Sequence, residues 1–226
     1  MTALPVSSAD SLDSYSALQD AITEETDGRA NASALARFIR QAEGEIKVFL
    51  ARNPLRPMRA RSDITINAEY VAGPTDMVRP ISIEATSDSG KMRVPYVANE
   101  ALSRMQGKWL FDNRPYAFTR EGDDLRFYPV PTTSYVGKLF YFQELPALSS
   151  SNQTNWLLTA FPHVYLAGSV YYAYRDMPDI EKASAMKSIF DEALQRLADA
   201  YPEPEDEATL SVDPDMLQRR WLWQIV

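Results

Sequence analysis

The chain has 226 residues, 45% of them hydrophobic and 11% aromatic, enough for one good core or two small ones, which excludes disorder over the whole length. It contains no cysteine, which excludes a disulfide framework, thiol catalysis and thiolate metal sites, and suits a reducing compartment. A formal charge of -8 and a pI near 4.8 argue against tight wrapping of nucleic acid, because phosphate contacts require clustered Lys and Arg; passing near DNA without adhering stays open.

The first ten residues lack the basic start and apolar run of a signal peptide, and no stretch approaches the ~20 apolar residues of a membrane span. A protein that does not use that export route and has no membrane partner is therefore expected. From Ser14 to Asp27, Tyr15, Leu18, Ala21 and Ile22 fall at helical spacing after Asp10 and Ser11 as caps. Gly28 breaks this helix, and Asn31 or Ser33 can cap the next. There Leu35, Phe38, Ile39, Ala42, Ile46, Phe49 and Leu50 repeat on one face until Pro54 and Pro57 stop the run.

Beyond Arg61 the period changes to two, with Ile64 and Ile66 alternating with polar residues. Tyr70-Val71 continues this one strand up to Gly73-Pro74. Further short extended runs are predicted at Ile81 to Glu84, Met92 to Tyr96, Tyr116 to Thr119, Asp124 to Tyr128 and Lys138 to Gln143, and together they give one small antiparallel sheet. A short helix is placed between Asn99 and Gly107, and Pro129 and Pro131 assign their stretch to an edge or loop. Helix returns after Pro162 and again after Asp179, the second as an antiparallel return. The expected fold is α+β: a helical bundle with an inserted small antiparallel β-sheet and an extended C-terminal arm. Its segments are residues 1–61, the first bundle helices; 62–145, the sheet; 146–200, the last helices; and 201–226, the arm.

Residues able to carry chemistry are few. His163 is the sole histidine and, without cysteine, cannot build a usual zinc site, so it reads as structural. Glu24 with Glu25, Glu43 with Glu45, and Asp123 with Asp124 fall on predicted helix surfaces or turns and read as solvated faces. There is no phosphate-binding glycine loop and no nucleophile elbow, so neither a cofactor nor an enzymatic activity is expected. Tyr165, Tyr171, Tyr172 and Tyr174 read as core and subunit-interface packing. Arg52, Arg56, Arg59 and Arg61, interleaved with prolines in the helix-to-strand link, form the most compact basic feature. They suit an acidic partner surface or a neighbouring subunit, or else a solvated linker.

The C-terminal stretch has two halves. Pro202, Pro204 and Pro214 lie among Glu203, Glu205, Asp206, Glu207 and Asp213, which predicts an extended, self-repelling arm. Met216, Leu217, Arg219, Arg220, Trp221, Leu222, Trp223 and Ile225 then give it an adhesive end, with no following element to cover the tryptophans.

Several motifs in order resemble the head-to-tail adaptor proteins of tailed bacteriophages. Between Leu139 and Gly168 an aromatic strand meets a Leu145-Pro146-Ala147-Leu148 turn, an Asn-rich linker, Trp156-Leu157-Leu158, and a helix start at Pro162 with Tyr165-Leu166. Upstream, Phe38 to Glu43 matches an early helix with Ala-Glu, Tyr70 to Met77 a strand followed by a Pro-x-Asp turn, and Leu125 to Pro131 a strand ending in prolines. The chain departs from the pattern at Gly73, where Leu is more usual, and in its long C-terminal extension.

The resemblance implies a structural virion protein of the neck, assembled in the host cytoplasm. It implies a ring of about twelve copies beneath the portal protein that bridges to a tail or nozzle protein and lets DNA through during genome packaging. An acidic lumen would pass DNA without specific binding. Burial of two tryptophans does not by itself offset the ordering of the arm. Docking on the portal therefore requires added backbone pairing and the multivalency of a ring, with the arm ordered on the portal and flexible in free subunits. Two other classes remain: a generic homo-oligomeric scaffold with exchanged tails, and a carboxylate-based glycoside hydrolase with two facing acids in a deep pocket.

Overall fold

A computed structural model describes residues 12–87, 90–105 and 114–202. In chain order these form α1 (Tyr15–Glu25), α2 (Leu35–Arg52), β1 (Arg59–Ile66), β2 (Tyr70–Ala72), β3 (Met77–Ser87), β4 (Gly90–Pro95), α3 (Asn99–Met105), β5 (Ala117–Glu121), β6 (Asp124–Tyr128), β7 (Tyr135–Gln143), α4 (Trp156–Ala160), α5 (Pro162–Asp176) and α6 (Ile180–Ala200). The architecture is α+β, a helical bundle with the strands inserted between its second and fourth helices.

Local chemistry sets the helix ends. Ser14 caps α1, its Oγ accepting from the Ala17 N–H at 3.2 Å, and Asp27 and Gly28 end the helix with positive φ. The predicted caps Asp10 and Ser11 lie outside the described residues. Asn31 accepts from the Ser33 N–H at 3.0 Å in a tight turn that leads into α2. The apolar stripe of α2 is buried as its spacing requires, with Phe38, Ile39, Ile46 and Leu50 in one core with Leu18 and Ile22 of α1, Tyr165 and Val170 of α5, and Phe190 and Leu197 of α6. Helices α2 and α5 run antiparallel. Arg37 near the start of α2 pairs with Asp176 at the end of α5 at 2.7 Å, and at mid-helix Gly168 lies against Ala42.

The strands form two sheets where the spacing suggested one. The four-stranded sheet has the order β1-β7-β3-β4 and the three-stranded sheet the order β2-β6-β5, both antiparallel. Alternation within a strand reports which residues face inward but not which sheet receives the strand, so two stacked sheets read as one. Their facing residues, among them Ile64, Ile66, Ile83, Val94, Phe118, Phe127 and Leu139, form a second core. Strand β6 is central in its sheet although prolines follow it, because Pro129 falls just past its end, where the Tyr128–Pro129 bond is cis. Strand β3 is longer than predicted. Its register against β7 shifts between Met77 and Arg79 and between Pro80 and Ser82, and the intervening Val78 and Ile81 pack on the bundle core.

Helix α4 went unpredicted because five residues are too few for periodicity. Asn155 starts it by accepting from the Leu158 N–H at 2.9 Å. At Gly73 a Cβ would stand 2.9 Å from the Met77 Cε and 3.1 Å from the Asp123 carbonyl, so a leucine there would displace both the neighbouring side chain and the neighbouring turn. No helix among the described residues is long and apolar enough to cross a membrane.

Candidate interaction surface

One face of the four-stranded sheet packs on the smaller sheet; on the other, Phe142 and Ser82 are buried and the remaining side chains are exposed or half-buried. Residue pairing fixes what lies on that outer face. Successive rows across it are Arg59, Phe142 and Arg79; Arg61, Phe140, Ser82 and Pro95; Asp63, Lys138, Glu84 and Arg93; and Thr65, Val136, Thr86 and Lys91. Phe142 is buried where the face meets the bundle, with the Arg59 and Arg79 guanidinium groups 6.0 and 5.0 Å from its ring centroid. Val136 is 63% exposed, and Lys138 donates to Asp63 at 2.9 Å. That ammonium holds the Asp63 carboxyl below its ordinary range.

Among the described residues, Arg59, Arg61, Arg79, Lys91, Arg93 and Lys138 thus outnumber Asp63 and Glu84 on this face, in a chain whose overall charge is -8. The sheet face is a basic surface on an acidic protein, and its chemistry suits carboxylates presented by a partner.

Of the arginines singled out from sequence, Arg59 and Arg61 belong to this face, brought beside Arg79 and Lys138 by strand pairing. Arg52 lies at the last turn of α2 and Arg56 in the tight turn before β1; both are exposed and neither is on the sheet. Met216, Leu217, Arg219, Arg220, Trp221, Leu222, Trp223 and Ile225 lie outside the described residues, as does the arm beyond Pro202.

A second feature is buried. Glu43 is 3% exposed, not on a solvated face, because it stands between Ile39 and Ile46 on the apolar stripe of α2. Its Oε1 accepts from the Leu148 N–H at 2.7 Å and from the Tyr165 hydroxyl at 3.3 Å. Asn155 in turn donates to that hydroxyl and to the Pro146 carbonyl, each at 2.8 Å. The cluster ties the segment linking β7 to α4 onto α2 and α5. Burial raises the Glu43 carboxyl above its ordinary value, against the Leu148 and Tyr165 hydrogen bonds and the Lys47 and Arg40 charges, and burial likewise drives the Tyr165 phenol upward. The i,i+4 and i,i+3 relation of Glu43 to Ile39 and Ile46 is the sequence signal that would have found it.

Glu45 is half-buried and bonded too, accepting from the Tyr172 hydroxyl at 2.6 Å and pairing with Lys187 at 3.6 Å. Tyr165 and Tyr174 are core, while Tyr171 and Tyr172 lie at its margin with the Arg175 guanidinium over both rings. Exposed His163 lines a shallow groove of about 380 Å³ between α5 and α6, which has an apolar floor of Leu166, Val170, Met186 and Ile189 and a charged rim of Glu25, Glu192 and Arg196.

A family model described as SU10 adaptor protein matches residues 13–213. No curated protein matches the chain. With the match covering most of its length, the chain belongs to the SU10 adaptor protein family, a family of structural phage adaptors.

Proposed function

From membership of that adaptor family we propose that the chain forms a ring of about twelve copies beneath the portal, joins capsid to tail, and lets DNA pass through its lumen. The observation that carries this reading is the family match over residues 13–213. Overall acidity supports it, because a lumen lined by acidic surface rather than by the basic sheet face would not hold DNA by counterion release. Arg52, Arg56, Arg59 and Arg61 are exposed, which supports a role for them in meeting acidic groups of a neighbouring subunit or of the portal, and a tail or nozzle protein docks below.

The apolar end of the arm, Met216 to Ile225, anchors each subunit to the portal, with Trp221 and Trp223 as the large buried anchors. Many arms engaging one ring multiply a modest single-site affinity. The test is co-sedimentation of purified portal rings with the full chain and with a chain lacking residues 216–226. Loss of at least about tenfold in affinity, ~1.4 kcal/mol, is expected on truncation. Undiminished binding by the truncated chain would contradict the anchoring role.

A further inference from the structure

The basic outer face of the four-stranded sheet needs an occupant. Arg61, Lys91, Arg93 and Lys138 stand exposed on it, around the exposed apolar Val136 and half-buried Phe140. Apolar side chains set among the cations favour a polypeptide over a nucleic-acid backbone as the complement.

The chain supplies such a polypeptide itself. Glu203, Glu205, Asp206, Glu207, Asp213 and Asp215 fall within residues 203–215, which contain no Lys or Arg. The end of α6 also lies at the right place. Tyr201 packs edge-on against Trp156 and Phe161, with ring centroids 6.5 and 5.9 Å apart. Phe161 immediately precedes α5, and the start of α5 lies beside the end of α2, the end that turns through Arg56 to Met58 into β1. The chain therefore leaves the bundle at the end that carries the sheet.

We propose that the acidic segment 203–215 lies across the outer face of its own four-stranded sheet in the free subunit. Extended, that segment reaches about 40 Å, and a four-stranded sheet is only about 15 Å across. Tethering gives it a local concentration on the order of millimolar, which favours its own sheet over that of another copy. For residues 203–215 this replaces the expectation of an arm flexible in free subunits, and because it concerns the free subunit it stands or falls independently of portal binding.

Because the chain has no cysteine, Ser211→Cys gives a single attachment point for a nitroxide label on the full-length protein. In an isotope-labelled sample the amide signals of Lys138, Glu84 and Arg93 should lose intensity through the nearby spin. They should recover at about 1 M salt, where the screening length falls to about 3 Å, and in the exposed-site variant Lys91→Glu/Arg93→Glu. The salt series uses the unreversed sheet, so it decides the matter even where the double variant fails to fold. Sheet signals unaffected by the label would overturn the proposal. So would broadening seen only between labelled and unlabelled chains, which would place the segment on another copy. Binding of a short DNA duplex to this face, lost in Lys91→Glu/Arg93→Glu and without broadening from the label, would give the face to nucleic acid instead.

Discussion

At the scale of single residues, Glu43 has the largest consequences. It is a carboxylate in an apolar core, held by the Leu148 N–H and the Tyr165 hydroxyl. Because its folded pKa is raised above the ordinary 4.5, the folded protein keeps a proton that the unfolded chain releases, and stability falls as pH rises through the window just above that value. Glu43→Gln keeps the acceptor and removes the buried charge. Its denaturant midpoint should match or exceed that of the parent at neutral pH, and the slope of stability against pH in that window should flatten. Glu43→Ala leaves the Leu148 N–H unsatisfied and should cost about 1–3 kcal/mol in chemical unfolding. If the alanine variant is as stable as the parent, the cluster does not hold the linker. Sequence alone reads Glu43 as part of a solvated face, because composition favours that for any Glu although its spacing from Ile39 and Ile46 fits the apolar stripe, and only packing shows that the linker closes over it.

At the scale of elements, the three long helices meet around Gly168. A Cβ there would stand 2.9 Å from the Phe190 ring and 3.0 Å from the Ala42 Cβ, so α5 approaches α2 and α6 as closely as it does because that position has no side chain. Gly168→Ala should destabilise by about 1–3 kcal/mol, since Phe190 is fully buried and has no space to swing into. A thermal melt unchanged by this substitution would mean the helices can separate freely. The long helices were legible because their apolar stripes repeat over several turns. The short α4, the division into two sheets and the bulges of β3 were not, because each depends on which distant strand or turn supplies the partner, as when Val78 and Ile81 turn onto the bundle.

At the scale of the whole molecule, the motifs between Leu139 and Gly168 carried the family, and the match over residues 13–213 agrees with them. The basic sheet face did not show in the sequence. Arg59 and Arg61 of β1 and Lys91 and Arg93 of β4 are close pairs along the chain, but the two pairs, Arg79 of β3 and Lys138 of β7 meet only through strand register. The helix-to-strand link sets a further prediction. Reversing charge at Arg52 and Arg56, which lie off the sheet, should weaken ring assembly while leaving the fold intact, as read from sedimentation on portal rings alongside circular dichroism. Assembly equal to that of the parent would remove those two arginines from the interface.

The central claim is that this chain is a portal-bound ring protein, and native mass spectrometry of the purified chain with and without portal rings tests it most directly. The account predicts a chain that gathers into about twelve copies on the portal, a closed cyclic assembly, and that loses this association when residues 216–226 are removed. A small oligomer of fixed mass, the same with or without portal, would contradict it.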